Sequence, residues 1–176
     1  MTTELHARPD ATEYARFYDP YVARVPEEDV VAALRDSGRE LVAALSALPE
    51  SRGGFRYAAG KWTIREVVGH LIDAERIFSY RALRLARGDA TPLPGFEEND
   101  YVKTADSDAR TLADLVEELR VVRESTVRMF VSFPEDAWTR RGVVNTREVT
   151  VRAIAYITAG HMRHHLAVLR ERYQIG

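Results

Sequence analysis

The sequence predicts an all-α protein, a bundle of four main helices. Three observations carry this. Apolar residues recur at helical spacing in four long stretches. Each stretch is bounded by capping or breaking residues. No segment alternates apolar and polar residues in the manner of a strand over a convincing length. The chain has 176 residues, 45% hydrophobic and 30% charged, which suffices to bury a core without disulfides. One domain is expected over residues 26–176, preceded by an arm at residues 1–25.

The arm is weakly patterned, with a short helix expected around Tyr14 to Tyr21. The first long helix is expected to open at Pro26, because Pro suits the first helical position and Glu27, Glu28 and Asp29 complement the helix dipole. Its stripe is Val31, Leu34, Leu41, Val42, Leu45 and Leu48, ending at Pro49. Turn residues fill 49–60. Thr63 and Glu66 then form a capping box, with Trp62 and Val67 at the staple positions. The second helix runs to Arg87 and stops at Gly88. It faces inward with Ile64, Val67, Val68, Leu71, Ala74, Phe78 and Leu85, and outward with Arg65, Arg76, Arg84 and Arg87, a solvated face.

Residues 88–110 form a long polar connection, and a connection of that length in a compact domain is often functional. Glu97 to Val102 can make a helical turn, and Pro92, Pro94, Phe96, Asn99 and Tyr101 are expected at a pocket mouth. The third helix starts near Thr111 and ends at Pro134. Residues 134–149 make a shorter connection in which Val143 and Val144 are the one β-like pair. Arg140 and Arg141 there can meet a substrate carboxylate. The last helix runs from about Thr150 to Tyr173.

Composition excludes several classes. The net charge of −2 argues against a nucleic-acid or anionic-membrane surface. With no Cys, there is no disulfide, zinc ribbon, iron–sulfur cluster or cysteine nucleophile. The first 30 residues hold no apolar core of a signal peptide, and no apolar run is long enough to span a membrane. A cytoplasmic protein is expected.

The chemistry lies on histidines placed where leucines belong. The inward stripe of the last helix is Val151, Ile154, Ala155, Thr158, His161, Met162, His165, Val168 and Leu169. His161 and His165 are four apart, so they project one turn apart from one face. Two buried imidazoles without partners are costly. A shared metal removes that cost, and neutral imidazole suits Zn, Ni, Fe or Cu. Gly160 lets a neighbouring helix or a substrate come close. His164 points to the flank and is read as a supporting or surface residue. His70, at the edge of the second helix's apolar face, is taken alone a core histidine that the bundle can bring against the last helix. His6 reads as incidental.

Two segments carry a family resemblance. Lys61-Trp62-Thr63-Ile64-Arg65-Glu66-Val67-Val68-Gly69-His70, continuing to Arg76, resembles the second-helix signature of the DinB-like (DNA-damage-inducible) metal-binding bundles. Ala159-Gly160-His161-Met162-Arg163-His164-His165-Leu166 is similar to the last-helix signature, and Pro92 to Tyr101 is similar to a loop in one branch. The resemblance spans about residues 28–173. It implies a four-helix bundle with a long crossover and one divalent metal ion (Zn, Ni or Fe) on His70, His161 and His165. It also implies a homodimer. Some members are S-transferases or isomerases that use bacillithiol, mycothiol or glutathione.

A tri-histidine site leaves coordination positions open, the mark of a catalytic rather than structural ion. The nucleophile is expected to come from solution, because the chain has no Cys, and the resemblance implies a small thiol over water, so the first expectation is transfer of a small-molecule thiol to a small electrophile. A metal-dependent hydrolase is the alternative, weakened by the lack of an H-E-x-x-H glutamate. A non-enzymatic metal-binding stress protein is the third. Asp73 is a candidate to orient His70, whereas Glu66 is assigned to the capping box.

Overall fold

Threonine caps set three of the four long helices. Thr63 accepts from the Glu66 amide while Glu66 accepts from the Thr63 amide at 2.7 Å, the reciprocal box expected from the sequence. Thr111 and Thr150 accept from Asp114 N and Ala153 N in the same way. In this computed structural model, which describes residues 6–176, those caps open α3 (Ile64–Ala86), α5 (Leu112–Val131) and α6 (Val151–Tyr173). Residues 1–5 of the expected arm lie outside the described residues. Gly88, at φ 75°, follows the end of α3.

The first long helix, α2 (Val30–Ser46), starts later than Pro26. Asp29 is its cap, accepting from Ala32 N at 3.0 Å. Residues 26–28 are held outside by other partners. The Tyr156 hydroxyl donates to the Glu27 and Glu28 carbonyls, and Arg163 pairs with the Glu27 carboxylate. Before it, the arm forms a 3-10 turn at Arg16–Tyr18 and α1 (Asp19–Val22). Val22 and Val25 are fully buried, and Glu13 binds Thr150 and Arg152 of the last helix start.

Both α2 and α3 pack against α5 and α6. The buried core divides into two apolar clusters. Along α2 and α6 the first cluster precedes the second; along α3 and α5 the order reverses. The neighbours α3 and α5 therefore run parallel. A chain leaving one parallel helix must travel back along the bundle to start the next, roughly 30 Å for helices of this length. That is the physical reason for the long connection at 88–110. It carries α4 (Glu98–Ala105) and a bridge between Leu93 and Val144.

Contrary to expectation, the 134–149 connection contains strands. β1 (Arg141–Val144) and β2 (Arg147–Thr150) form an antiparallel hairpin. Asn145 and Thr146 both have positive φ, the two-residue turn that matches strand twist. Where the two apolar clusters meet, each helix contributes polar side chains: Ser37, His70, Glu75, Arg123, Thr158 and His161 are all buried. No helix of the described residues is long and apolar enough to cross a membrane.

Candidate metal centre

His70 projects from α3 and His161 and His165 from α6, and the bundle brings the three Nε2 atoms together. His161 Nε2 lies 3.2 Å from His70 Nε2 and 3.1 Å from His165 Nε2. His70 and His161 are 4% and 5% exposed; His165 is half-buried. Burial, reinforced by His164, pushes the His70 pKa down to about 4, and burial with the neighbouring imidazoles holds His161 and His165 well below the ordinary value. All three are therefore neutral at pH 7.

Neutral rings cannot satisfy this arrangement alone. A ring nitrogen offers either one hydrogen or one in-plane lone pair. His161 Nε2 can thus complete only one of its two contacts. A cation accepting all three lone pairs resolves the conflict. Nitrogens about 2.05 Å from a tetrahedral zinc ion stand about 3.3 Å apart, close to the spacing observed. The donor set and its geometry fit a divalent ion.

The surroundings hold the rings in place. Tyr21 and Phe78 set their rings edge-on to His161, at 5.2 and 5.5 Å between centroids, and Trp62 lies 5.0 Å from His70. Gly160 is the reason Tyr21 reaches the site, because a Cβ there would collide with the Tyr21 carbonyl. A cavity of about 700 Å³ opens onto His70 and His161 between α3, the 88–110 connection and the hairpin. At its mouth Glu98 Oε2 lies 3.9 Å from His70 Nε2; the side chain is about half exposed, and its partial burial and the Glu97 charge raise its carboxyl pKa.

The other predicted residues fall elsewhere. His164 stays on the flank, edge-on to Tyr21 and His165, with Nδ1 buried and unpartnered. Asp73 is half-buried, its pKa raised by burial. Its charged neighbours are Arg76 and Glu118, and no hydrogen bond to His70 occurs among the described residues. Tyr101 is exposed and packs on Phe96 at 5.2 Å; Phe96, not Tyr101, lines the cavity. Arg140 donates to the Ala86 carbonyl and to Asp136, and Arg141 to the Thr12 carbonyl, so neither is in the cavity wall. Sequence reading missed Glu98, Tyr21 and the buried Arg81, which also lines the cavity. Of these, only Arg81 carried a signal, a charge at an inward position of α3.

The DinB superfamily pattern matches residues 33–169. The chain belongs to the DinB superfamily. A Bacillus mycoides (strain KBAB4) relative named "Putative metal-dependent hydrolase" is 28% identical, over 86% of this chain and 91% of its own. One from Geobacillus thermodenitrificans with the same name is 34% identical, over 48% of this chain and 49% of its own. Among solved DinB-like folds, YfiT from Bacillus subtilis is described as a probable metal-dependent hydrolase with an unusual four-helix bundle topology. It matches with a TM-score of 0.72 and 16% identity, covering 98% of this chain and 97% of YfiT. A mycothiol-dependent maleylpyruvate isomerase matches with a TM-score of 0.69 and 15% identity, over 83% of this chain and 61% of its own.

Proposed function

We propose that this DinB protein is a metal-dependent hydrolase whose ion sits on His70, His161 and His165, with Glu98 as proton acceptor. The observation that carries the reading is the over-subscribed trio of Nε2 atoms opening onto a cavity with a carboxylate at its mouth. An ion held there supplies Lewis acidity and acidifies a bound water or thiol. The three neutral imidazoles keep that ion positively charged. Partial burial and the neighbouring Glu97 charge raise the Glu98 pKa above the usual carboxylate value, which makes it a stronger base than a free carboxylate. In hydrolysis the water oxygen bonds to the electrophilic carbon. Its proton passes to Glu98 Oε2 and then to the leaving group, as the bond from that carbon to the leaving group breaks. This carboxylate lies in the crossover, so the missing H-E-x-x-H motif no longer counts against hydrolysis. The names carried by the relatives support the same reading.

Thiol transfer to an electrophile is the second reading. The chain has no Cys, so a thiolate nucleophile arrives as a cosubstrate. The isomerase of similar fold is named for mycothiol. In that reaction the thiol proton goes to Glu98 and sulfur bonds to the electrophilic carbon, while the bond from that carbon to its leaving group breaks and the leaving group departs with the electron pair and takes the proton from Glu98.

The test loads the protein with Zn, Ni, Mn or Fe. It then compares hydrolysis of a nitrophenyl ester panel with conjugation of bacillithiol, mycothiol or glutathione to monochlorobimane. Hydrolysis is expected, metal-dependent and reduced about 10²- to 10⁴-fold in Glu98→Gln. Conjugation without hydrolysis favours the second reading. No metal-dependent rate in either assay overturns both and leaves a non-catalytic metal-binding protein.

A further inference from the structure

Arg81 occupies an inner-face position of α3 and is 4% exposed. It lies three residues beyond Phe78, in the helical row that begins at His70 and continues through Ala74. Its contacts are neutral: Nη2 donates to the Pro94 carbonyl at 2.9 Å, the guanidinium donates to the Tyr18 phenol oxygen, and the Phe96 ring lies 5.7 Å away. No carboxylate pairs with it among the described residues. The bundle's other buried arginine, Arg123, is held by both oxygens of Glu75. A buried guanidinium without an anion is costly and stays charged, because arginine does not give up its proton in proteins. Burial lowers its pKa from a value far above neutrality, which leaves it protonated.

Arg81 lines the same cavity as His70 and His161. The other charged side chains in that lining, Glu97, Glu98, Arg147 and Glu148, are exposed. Eleven residues of helix separate His70 from Arg81, a rise of about 16 Å. Side chains lean toward the helix N-terminus, so Arg81 leans back toward the histidines and shortens that span. The wall between them is aromatic and aliphatic, with Tyr18, Tyr21, Phe78, Phe96, Ile154 and Ile157. We infer that Arg81 selects substrates bearing a carboxylate at one end, with an apolar body along this wall and the reacting group beside the histidines. The planar guanidinium fork matches a carboxylate and supplies the anchor. The inference rests on reading this cavity as the reaction site.

Binding of 4-phenylbutyrate and of its neutral primary amide is measured by calorimetry with metal-free and zinc-loaded full-length protein. Wild type is expected to prefer the acid at least tenfold in the metal-free form. Arg81→Gln abolishes the preference and Arg81→Lys keeps part of it. Absence of any preference in metal-free wild type overturns the inference, whether both probes bind equally or neither binds. A preference that survives Arg81→Gln overturns it as well. If Arg81→Gln fails to fold, the wild-type comparison and Arg81→Lys decide. A preference seen only with zinc and unchanged in Arg81→Gln places the carboxylate on the ion, which refutes the Arg81 role while leaving the metal reading intact. A protein without hydrolytic activity that still shows the Arg81-dependent preference refutes the proposed reaction alone.

Discussion

Arg123 and Glu75 meet between α5 and α3. Five residues earlier on α3, His70 meets His161 and His165 of α6. Both clusters are buried at the seam between the two apolar halves of the core. They are finished differently. Arg123 directs Nε and Nη2 at the two oxygens of Glu75, and Nη1 at the Leu34 carbonyl and the Ser37 hydroxyl. Nη2 also reaches the Thr158 carbonyl at 3.4 Å. Every guanidinium N–H thus has an acceptor. His161 Nε2 faces two imidazole nitrogens and can complete only one of those contacts. A closed network is part of the scaffold, whereas an incomplete one at a cavity is built to receive something. Gly38 shows how the fold accommodates the closed network, since a Cβ there would run into the Arg123 side chain.

This contrast can be broken in order of expected effect. Glu75→Ala leaves a buried guanidinium unpaired and should destabilise the fold by about 3–5 kcal/mol, read from urea unfolding. His161→Leu in metal-free protein should do the opposite. It removes the conflicted nitrogen and fills the space with an apolar side chain, so stability should rise by about 1 kcal/mol. A loss as large as that of Glu75→Ala would mean that the histidine cluster is itself a scaffold network. The smallest effect is expected at His164. Its ring lies beside the trio without joining it, so His164→Ala should retain wild-type metal content by elemental analysis.

The helices were legible because their signals are local. Three threonine caps and Gly88 mark boundaries that each depend on a few neighbouring residues. The start of α2 was misplaced because Pro26 and the acids after it also suit a first turn. What keeps them out is distant, Tyr156 and Arg163 on α6. The hairpin was missed because its strands are four residues each and its turn is Asn145-Thr146 rather than Asn-Gly. A β-branched residue at positive φ is not a turn signal. Within the site, His161 and His165 were legible from their spacing on one helix face. His70 was named as their partner by the family resemblance, while its own spacing marked only a core histidine, because the contact depends on packing of α3 on α6. Glu98 lies in the crossover, and no sequence spacing brings it to His70. Gly160 did signal a close approach, and the structure supplies the arm at Tyr21 as what approaches.

The contrast comes down to metal binding, expected at the histidine trio and not at the Arg123 network. Calorimetric titration of zinc into metal-free protein tests it most directly, with wild type, His161→Leu and His164→Ala measured side by side. One ion per chain is expected in wild type and in His164→Ala, and no stoichiometric binding in His161→Leu. Wild-type protein that takes up no zinc, nickel, manganese or iron would contradict it, as would His161→Leu that binds as tightly as wild type.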